Sequence, residues 1–221
     1  MPQGSDSCCE PIVDGLDDAR FRRVLWIVLA FNAAMFVVEL GAGLTAGSVA
    51  LQADALDFLG DSASYAISLF VMGMAIRWRT AAALLKGVAM GGFGLWVIGA
   101  TVWSLMAKGV PNPVVMGSVG TLALVVNVFC AVLLFRFRGG DANRRSVWLC
   151  SRNDAIGNIA VVGAASGVFV TNSNWPDLFV ATVMASLALY ASVTVLRHGL
   201  REWRMGTNDT APGVEAGPAR D

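Results

Sequence analysis

Three aspartates interrupt an apolar stretch in the first third of the chain. Asp54, Asp57 and Asp61 lie within residues 51–65, and the apolar sequence continues to Ile76. At about 100° per residue, the three carboxylates would fall within roughly 60° of one another on a helix. A carboxylate inside a bilayer is costly unless it faces a partner or a wet cavity, so such acids are functional candidates. Three of them on one face predict a cation site.

A second polar group of residues follows about ninety positions later and has matching spacing. Cys150, Asp154 and Asn158 are four residues apart, as are Asp57 and Asp61, so each set shares one helix face. Two helices that each offer two ligand atoms one turn apart could enclose an ion tetrahedrally. Carboxylate oxygens and a thiolate suit Zn²⁺, and the sulfur also favours Cd²⁺. At about 1.5 Å per residue, Asp61 and Asp154 could lie at similar depth, and Cys150 would lie nearer the cytoplasm.

Composition places these residues in a membrane. Of 221 residues, 56% are hydrophobic and only 14% charged, and the mean hydropathy is +0.62. Such values lie outside the range of soluble domains and predict an all-α polytopic membrane protein with the lipid bilayer as its surroundings. The formal net charge is zero, which argues against a nucleic-acid partner.

Six apolar segments of about 20 residues or more could cross the membrane as helices and position the acids. No repeat and no linker between globular parts is apparent, so we expect residues 22–204 to form one six-helix transmembrane domain. Residues 1–21 are expected to be a flexible cytoplasmic start, and residues 205–221 a short disordered tail. The predicted segments are Val24–Ala46, Ser48–Ile76, Ala81–Met106, Pro113–Phe135, Val147–Val170 and Trp175–Leu196.

The basic residues predict the orientation of these segments. They cluster before the first segment, around the second loop, in the fourth loop and after the sixth segment, whereas the alternate loops carry only Lys108. By the positive-inside rule both termini would be cytoplasmic. The polar, acidic start is not typical of a signal peptide, and we expect a multi-pass protein of the inner (plasma) membrane. The clusters are Arg20, Arg22 and Arg23; Arg77, Arg79 and Lys86; Arg136, Arg138, Arg144 and Arg145; and Arg197, Arg201 and Arg204.

These motifs resemble those of a known family. Asp57-Phe-Leu-Gly-Asp61 and Cys150-Ser-Arg-Asn-Asp154 are similar to the paired [His/Asp]-x-x-x-Asp motifs of the cation diffusion facilitators, the zinc transporters. Residues 47–55 resemble that family's entry to its second helix, and residues 32–39 the polar pair of its first. The resemblance covers about residues 22–204.

The resemblance implies six helices that export a divalent metal from the cytoplasm in exchange for protons, usually as a homodimer. It implies Asp57, Asp61, Cys150 and Asp154 as metal ligands. The sequence departs from the family in one respect, because Cys150 stands where the family often has His. We also expect that the carboxy-terminal cytosolic metal-binding domain of most members is missing. We therefore expect no regulation by such a domain. Because that domain supports dimerisation in most members, a homodimer is less strongly implied for this chain. The loop at 136–146 lacks the histidines of some relatives.

Other polar residues each allow more than one interpretation. Asp54 could accept a hydrogen bond behind the ligands, lie on a proton route, or pair with Arg152. Glu39 could carry protons or pack helices together. Asn158 could support the metal ligands from behind, lie on the proton route, or form a hydrogen bond that holds helices together. Cys150 could be a small packing residue instead of a ligand.

The expected function is proton-coupled efflux of Zn²⁺, and of Cd²⁺ as a second substrate, with the metal as cargo and no prosthetic group. Rival interpretations are a membrane metalloenzyme, a cation channel and a scaffold with a structural metal. No Ser/His pair or His-rich zinc motif supports an enzyme. The adjacent Cys8 and Cys9 could hand metal to the pore or belong to a flexible end. The order of preference among Zn²⁺, Cd²⁺, Co²⁺, Ni²⁺, Fe²⁺ and Mn²⁺ stays open.

Overall fold

Six α-helices make up the fold in a computed structural model that describes residues 19–70, 76–107, 109–137 and 142–208. Within these ranges, side chains are described for all residues except 76, 77, 79, 142–150, 202 and 204–208. The described residues contain no β-strand, so the predicted all-α class is confirmed. The helices are α1 Ala19–Ala46, α2 Val49–Phe70, α3 Ile76–Ala107, α4 Pro113–Phe135, α5 Ala142–Thr171 and α6 Trp175–Asn208.

Helix α4 begins and ends at the predicted residues, and its start shows why. Asn112 is extended and its Oδ1 accepts hydrogen bonds from the backbone N–H groups of Val114 (3.0 Å) and Val115 (3.2 Å). Pro113 follows as the first helical residue, where its fixed φ suits the helix and its missing N–H is not needed. An Asn-Pro pair before an apolar run is therefore a reliable helix start.

The boundary between the second and third segments differs from the prediction. Helix α2 is described as far as Phe70, and Ile76, which was expected to end the second segment, instead begins α3. The sequence between Phe70 and Ile76 is apolar throughout, so hydropathy gives no signal for a break there.

The outer ends of the domain also differ. Helix α1 starts at Ala19, and α6 continues to Asn208, so both extend into the expected termini. The expectations for residues 1–18, including Cys8 and Cys9, and for the tail from residue 209 lie outside the described residues.

Five of the helices are long and apolar enough to cross a membrane: α1, α3, α4, α5 and α6. Helix α2 is the exception, because every 18-residue stretch of its 22 residues includes Asp54, Asp57 and Asp61. Its length of about 33 Å would still cross the hydrocarbon core, and most of its side chains are buried among other helices. The acidic helix is thus shielded by apolar ones.

Helix α2 occupies the centre of the bundle. The closest pairs are α1 with α2, α3 with α6, and α4 with α5, and α2 also contacts α3, α5 and α6. Large apolar side chains on the outside, such as Val37, Leu95, Val170 and Tyr190, are exposed. This arrangement, with polar residues inside and apolar ones outside, is that of a protein surrounded by lipid.

Two apolar clusters pack against α2. One joins the start of α2 to α3, α4, α5 and α6, and the other joins the later part of α2 to α1 and α4. Leu56 belongs to the first cluster and Phe58 to the second, so Asp57 lies between them. The sequence neighbours of Asp57 are therefore packed into different clusters, which restrains this part of α2.

Candidate metal-transport site

Asp61 of α2 and Asp154 of α5 lie side by side. Their carboxylates are near enough to interact as hydrogen-bonding groups. Asp61 is only 4% exposed, and its Oδ2 accepts a hydrogen bond from the hydroxyl of Tyr65 at 2.7 Å. The helix positions Tyr65 for this contact because it follows Asp61 by one turn. Two adjacent acids from different helices are a suitable start for a divalent cation site.

Gly157 brings α5 close to the two earlier aspartates of α2. A methyl group added to Gly157 would lie 3.9 Å from Oδ2 of Asp57 and 4.0 Å from Oδ1 of Asp54. Because Gly157 follows Asp154 by about one turn while Asp57 precedes Asp61, the two helices run antiparallel past one another. The polar faces of α2 and α5 therefore meet, as the matching spacing predicts.

Cys150, the fourth predicted ligand, precedes Asp154 by one turn on α5, and its side chain lies outside the described residues. Among the side chains that are described, no three from His, Cys, Asp and Glu converge closely enough to hold a metal ion. Asp61 and Asp154 are brought together, and Asp57 faces the same helix at Gly157. Ligation by Cys150 stays a prediction.

A second pair of acids lies beside Asp57. Glu39 of α1 and Asp54 of α2 are adjacent and buried. Neither oxygen of Glu39, nor Oδ2 of Asp54, has a hydrogen-bond partner among the described residues. Buried carboxylates in contact can satisfy one another only when a proton lies between them. Arg152, the suggested partner of Asp54, is exposed and donates to Asn153 at 3.3 Å.

Asn158 is fully buried one turn after Asp154, and neither its Oδ1 nor its Nδ2 has a hydrogen-bond partner in the described part of the chain. Asn32 of α1, in contrast, is satisfied: its Nδ2 donates to the carbonyl of Val28 at 2.8 Å and reaches Sγ of Cys130 at 3.9 Å. Hydrogen bonding between helices is therefore observed for Asn32, and Asn158 retains polar atoms for another partner.

Two neighbours of the Asp61 and Asp154 pair were missed in the sequence. Lys86, counted among the charges of the second loop, lies buried in α3 and interacts electrostatically with Asp61. Cys130 of α4 is buried and within electrostatic reach of both aspartates. A signal for Lys86 existed, because a lone lysine inside an apolar segment requires a partner; Cys130 gave no such signal.

The profile of the cation efflux transmembrane domain matches residues 25–202. The chain belongs to the cation diffusion facilitator, or cation efflux, family. The resemblance stated from the two motifs is thereby confirmed, and this is a family of transporters rather than of enzymes.

Individual members of the cation efflux family are similar along most of this chain. The metal cation efflux system protein CzcD of Cupriavidus metallidurans is 22% identical over 199 residues, 85% of this chain. The zinc transporter ZitB of Yersinia pestis is 25% identical over 202 residues, 84% of this chain. The chain spans 63% of the length of each of these relatives.

Proposed function

We propose that this chain exports divalent metal ions from the cytoplasm in exchange for protons, with Zn²⁺ and Cd²⁺ as cargo. The observation that carries the proposal is the contact between Asp61 and Asp154 in the centre of an apolar bundle. Asp61 is buried and Asp154 is half-buried. Two such acids from different helices are costly in a membrane, and a bound cation would offset their charge. Asp57 and Cys150 would complete the ligand set.

The choice of metal is supported by the ligand types and by the relatives. Three carboxylates and one thiolate form a set that binds Zn²⁺, and the sulfur adds affinity for softer ions. One relative is named a zinc transporter and another a metal cation efflux system protein. Zn²⁺ is therefore the first cargo to test, with Cd²⁺ as the second.

Proton exchange would follow from the same ligands. A metal binds only deprotonated carboxylates and thiolates, so loading releases protons, and external protons compete for the site when it opens outward. Glu39 and Asp54 are placed to take up a proton beside Asp57, because their contact lacks a donor. Metal and protons would thus move in opposite directions.

The proposal also includes the membrane, the orientation and the oligomeric state of the protein. Basic loops favour an inner-membrane protein with both termini in the cytoplasm, and the family resemblance favours a homodimer. Loading would then occur from the cytoplasmic side, nearest Cys150.

The test is metal transport by the purified protein in liposomes. Zn²⁺ and Cd²⁺ uptake would be measured under pH gradients of both signs for the wild type, Asp61→Asn and Asp154→Asn. A loss of about tenfold or more is expected in both variants, as for altered metal sites generally. Asn153→Ala is the matched control, because Asn153 adjoins Asp154 and is exposed; its uptake should equal that of the wild type.

Three results would contradict the proposal. Full uptake in both aspartate variants would remove the site assignment. Metal flux that ignores the pH gradient would favour a channel. Tight metal binding without flux would favour a structural metal in a scaffold.

A further inference from the structure

Lys86 is a positive charge inside the bundle, next to the proposed metal site. It lies in α3, eleven residues along a helix that begins at Ile76, and is only 5% exposed. Its Nζ donates a hydrogen bond to Oγ of Ser64 on α2. It also attracts the carboxylate of Asp61, three residues before Ser64. The ammonium is thus held between α2 and α3.

The hydrogen bonds around Lys86 orient it toward the acids. The hydroxyl of Ser64 donates to the carbonyl of Gly60 at 2.8 Å, so its lone pairs are left to accept from Lys86. The hydroxyl of Tyr65 donates a hydrogen bond to Oδ2 of Asp61. A buried ammonium in a membrane-spanning chain requires a nearby negative charge, and Asp61 supplies it. Lys86 is therefore held by Ser64 within electrostatic reach of Asp61.

We propose that Lys86 is a tethered cation that neutralises Asp61 while the site is empty and opposes the metal that binds there. This inference rests on the proposed function, in which Asp61 is a metal ligand. A divalent ion at Asp61 would place two further positive charges beside the ammonium. Metal binding and the attraction between Lys86 and Asp61 are therefore competitive.

The competition has a consequence for transport. Competition from the Lys86 ammonium weakens metal binding. The ammonium also neutralises Asp61 as soon as the metal leaves, so release is faster. A site of three acids and a thiolate without this charge would hold Zn²⁺ more tightly and release it more slowly. Lys86 would thus adjust the cargo affinity to a value at which turnover is possible.

Metal binding to the purified protein in detergent tests the first half of this proposal. Titrations with Zn²⁺ and Cd²⁺ would compare the wild type with Lys86→Gln, which keeps a hydrogen-bond donor for Ser64 and removes the charge. We expect about tenfold tighter binding in Lys86→Gln, a size typical of coupling between two binding events. Lys86→Arg, which keeps the charge, should bind as the wild type does. Ser64→Ala, which removes only the hydrogen-bond partner, should show little gain in affinity.

Transport in liposomes tests the second half. Lys86→Gln should have a lower KM for metal and a lower kcat, because tighter binding slows release. Replacing a residue that only packed helices together would not lower both KM and kcat. Unchanged or weaker metal binding in a folded Lys86→Gln protein would overturn the inference.

A measurement on the wild type covers the case in which Lys86→Gln does not fold. The sequence contains only two lysines, Lys86 and Lys108, so selective isotope labelling of lysine side chains gives two NMR signals. Saturating Zn²⁺ should shift the Lys86 signal and leave that of Lys108 in place. An unchanged Lys86 signal in metal-loaded protein would overturn the inference.

The same titrations separate this inference from the proposed function. If the wild type binds no metal, or if Asp61→Asn binds as the wild type does, the proposed site is wrong. If Asp61→Asn loses binding while Lys86→Gln binds as the wild type does, the site stands and the role of Lys86 is wrong.

Discussion

Asp177 of α6 accepts a hydrogen bond from the hydroxyl of Ser48 at 2.7 Å, at the start of α2. The same carboxylate accepts from the backbone N–H groups of Val49 (2.9 Å) and Ala50 (3.0 Å). Ser48 in turn caps the helix, because its Oγ accepts from the N–H of Leu51 at 3.1 Å. The first N–H groups of α2 are thus satisfied by an acid from another helix, which also complements the positive end of the helix dipole.

Asp177→Ala should lower the stability of the protein by about 3 kcal/mol, because it removes charged hydrogen bonds and leaves buried donors without an acceptor. Ser48→Ala is the matched control and should cost about 1 kcal/mol, the usual effect of losing a capping side chain. Thermal unfolding in detergent would give the comparison. Equal stability of Asp177→Ala and wild type would show that water replaces the carboxylate at α2.

Glu39→Gln should be as stable as the wild type, or more stable by up to about 1 kcal/mol. The amide permanently supplies the donor to Asp54 that the acid pair has only when a proton lies between the two carboxylates. Glu39→Ala supplies no donor and leaves a cavity, so it should be less stable than the wild type. If this pair carries the exchanged proton, metal uptake by Glu39→Gln will also depend less on the pH gradient. A Glu39→Gln protein less stable than the wild type would show that Asp54 requires an ionisable neighbour.

Cys150→His should shift selectivity toward Zn²⁺ over Cd²⁺, because imidazole replaces the softer thiolate. The measurement is the ratio of Zn²⁺ to Cd²⁺ uptake in liposomes. Cys130→Ser is the matched control: Cys130 is a second thiol within electrostatic reach of Asp61 and Asp154, and its replacement should leave the ratio unchanged. If the uptake ratio changes in Cys130→Ser but not in Cys150→His, the soft ligand is Cys130 and our assignment of Cys150 is wrong.

The length of the apolar segments predicted the helices of this fold, because hydropathy is a local property of the sequence. The run from Pro113 to Phe135 has its Asn cap in front and Arg136 behind, and both ends are found as predicted. Between α2 and α3 no polar residue marks the change from Phe70 to Ile76, and the prediction there failed. Local signals therefore define helices where polar residues flank them.

The site was predictable in so far as it depends on spacing along one helix. Asp57 with Asp61, and Asp154 with Gly157, follow from helical geometry. The role of Lys86 depends on how α3 packs against α2, and the cap by Asp177 on how α6 does. The lone Lys86 in an apolar segment signals that it has a partner, but one sequence does not show which residue that partner is when it lies 22 positions away, as Ser64 does, or 129 positions away, as for Ser48 and Asp177.

The turn between α1 and α2 packs closely around Gly43. A methyl group added to Gly43 would lie 2.9 Å from Cγ of Gln52, 3.0 Å from its backbone N and 3.1 Å from the carbonyl oxygen of Ser48. Gly43 also accepts the backbone hydrogen bond of Ser48 at 2.9 Å. Gly47 makes the reversal with a φ of +69°, a region that glycine adopts without strain.

Gly43→Ala should therefore destabilise the protein by about 1–3 kcal/mol, because the obstructing atoms are partly backbone and cannot rotate away. Gly41→Ala is the matched control on the same helix: nothing lies within 4 Å of its added methyl group, so the better helix propensity of alanine should give a neutral or slightly stabilising result. Thermal unfolding of both variants in detergent measures the difference. Because the turn sets the start of α2, Gly43→Ala should also reduce metal uptake, whereas Gly41→Ala should not. Equal stability of the two variants would mean that α1 and α2 can separate at this turn without cost, and that the position of the aspartates is fixed elsewhere.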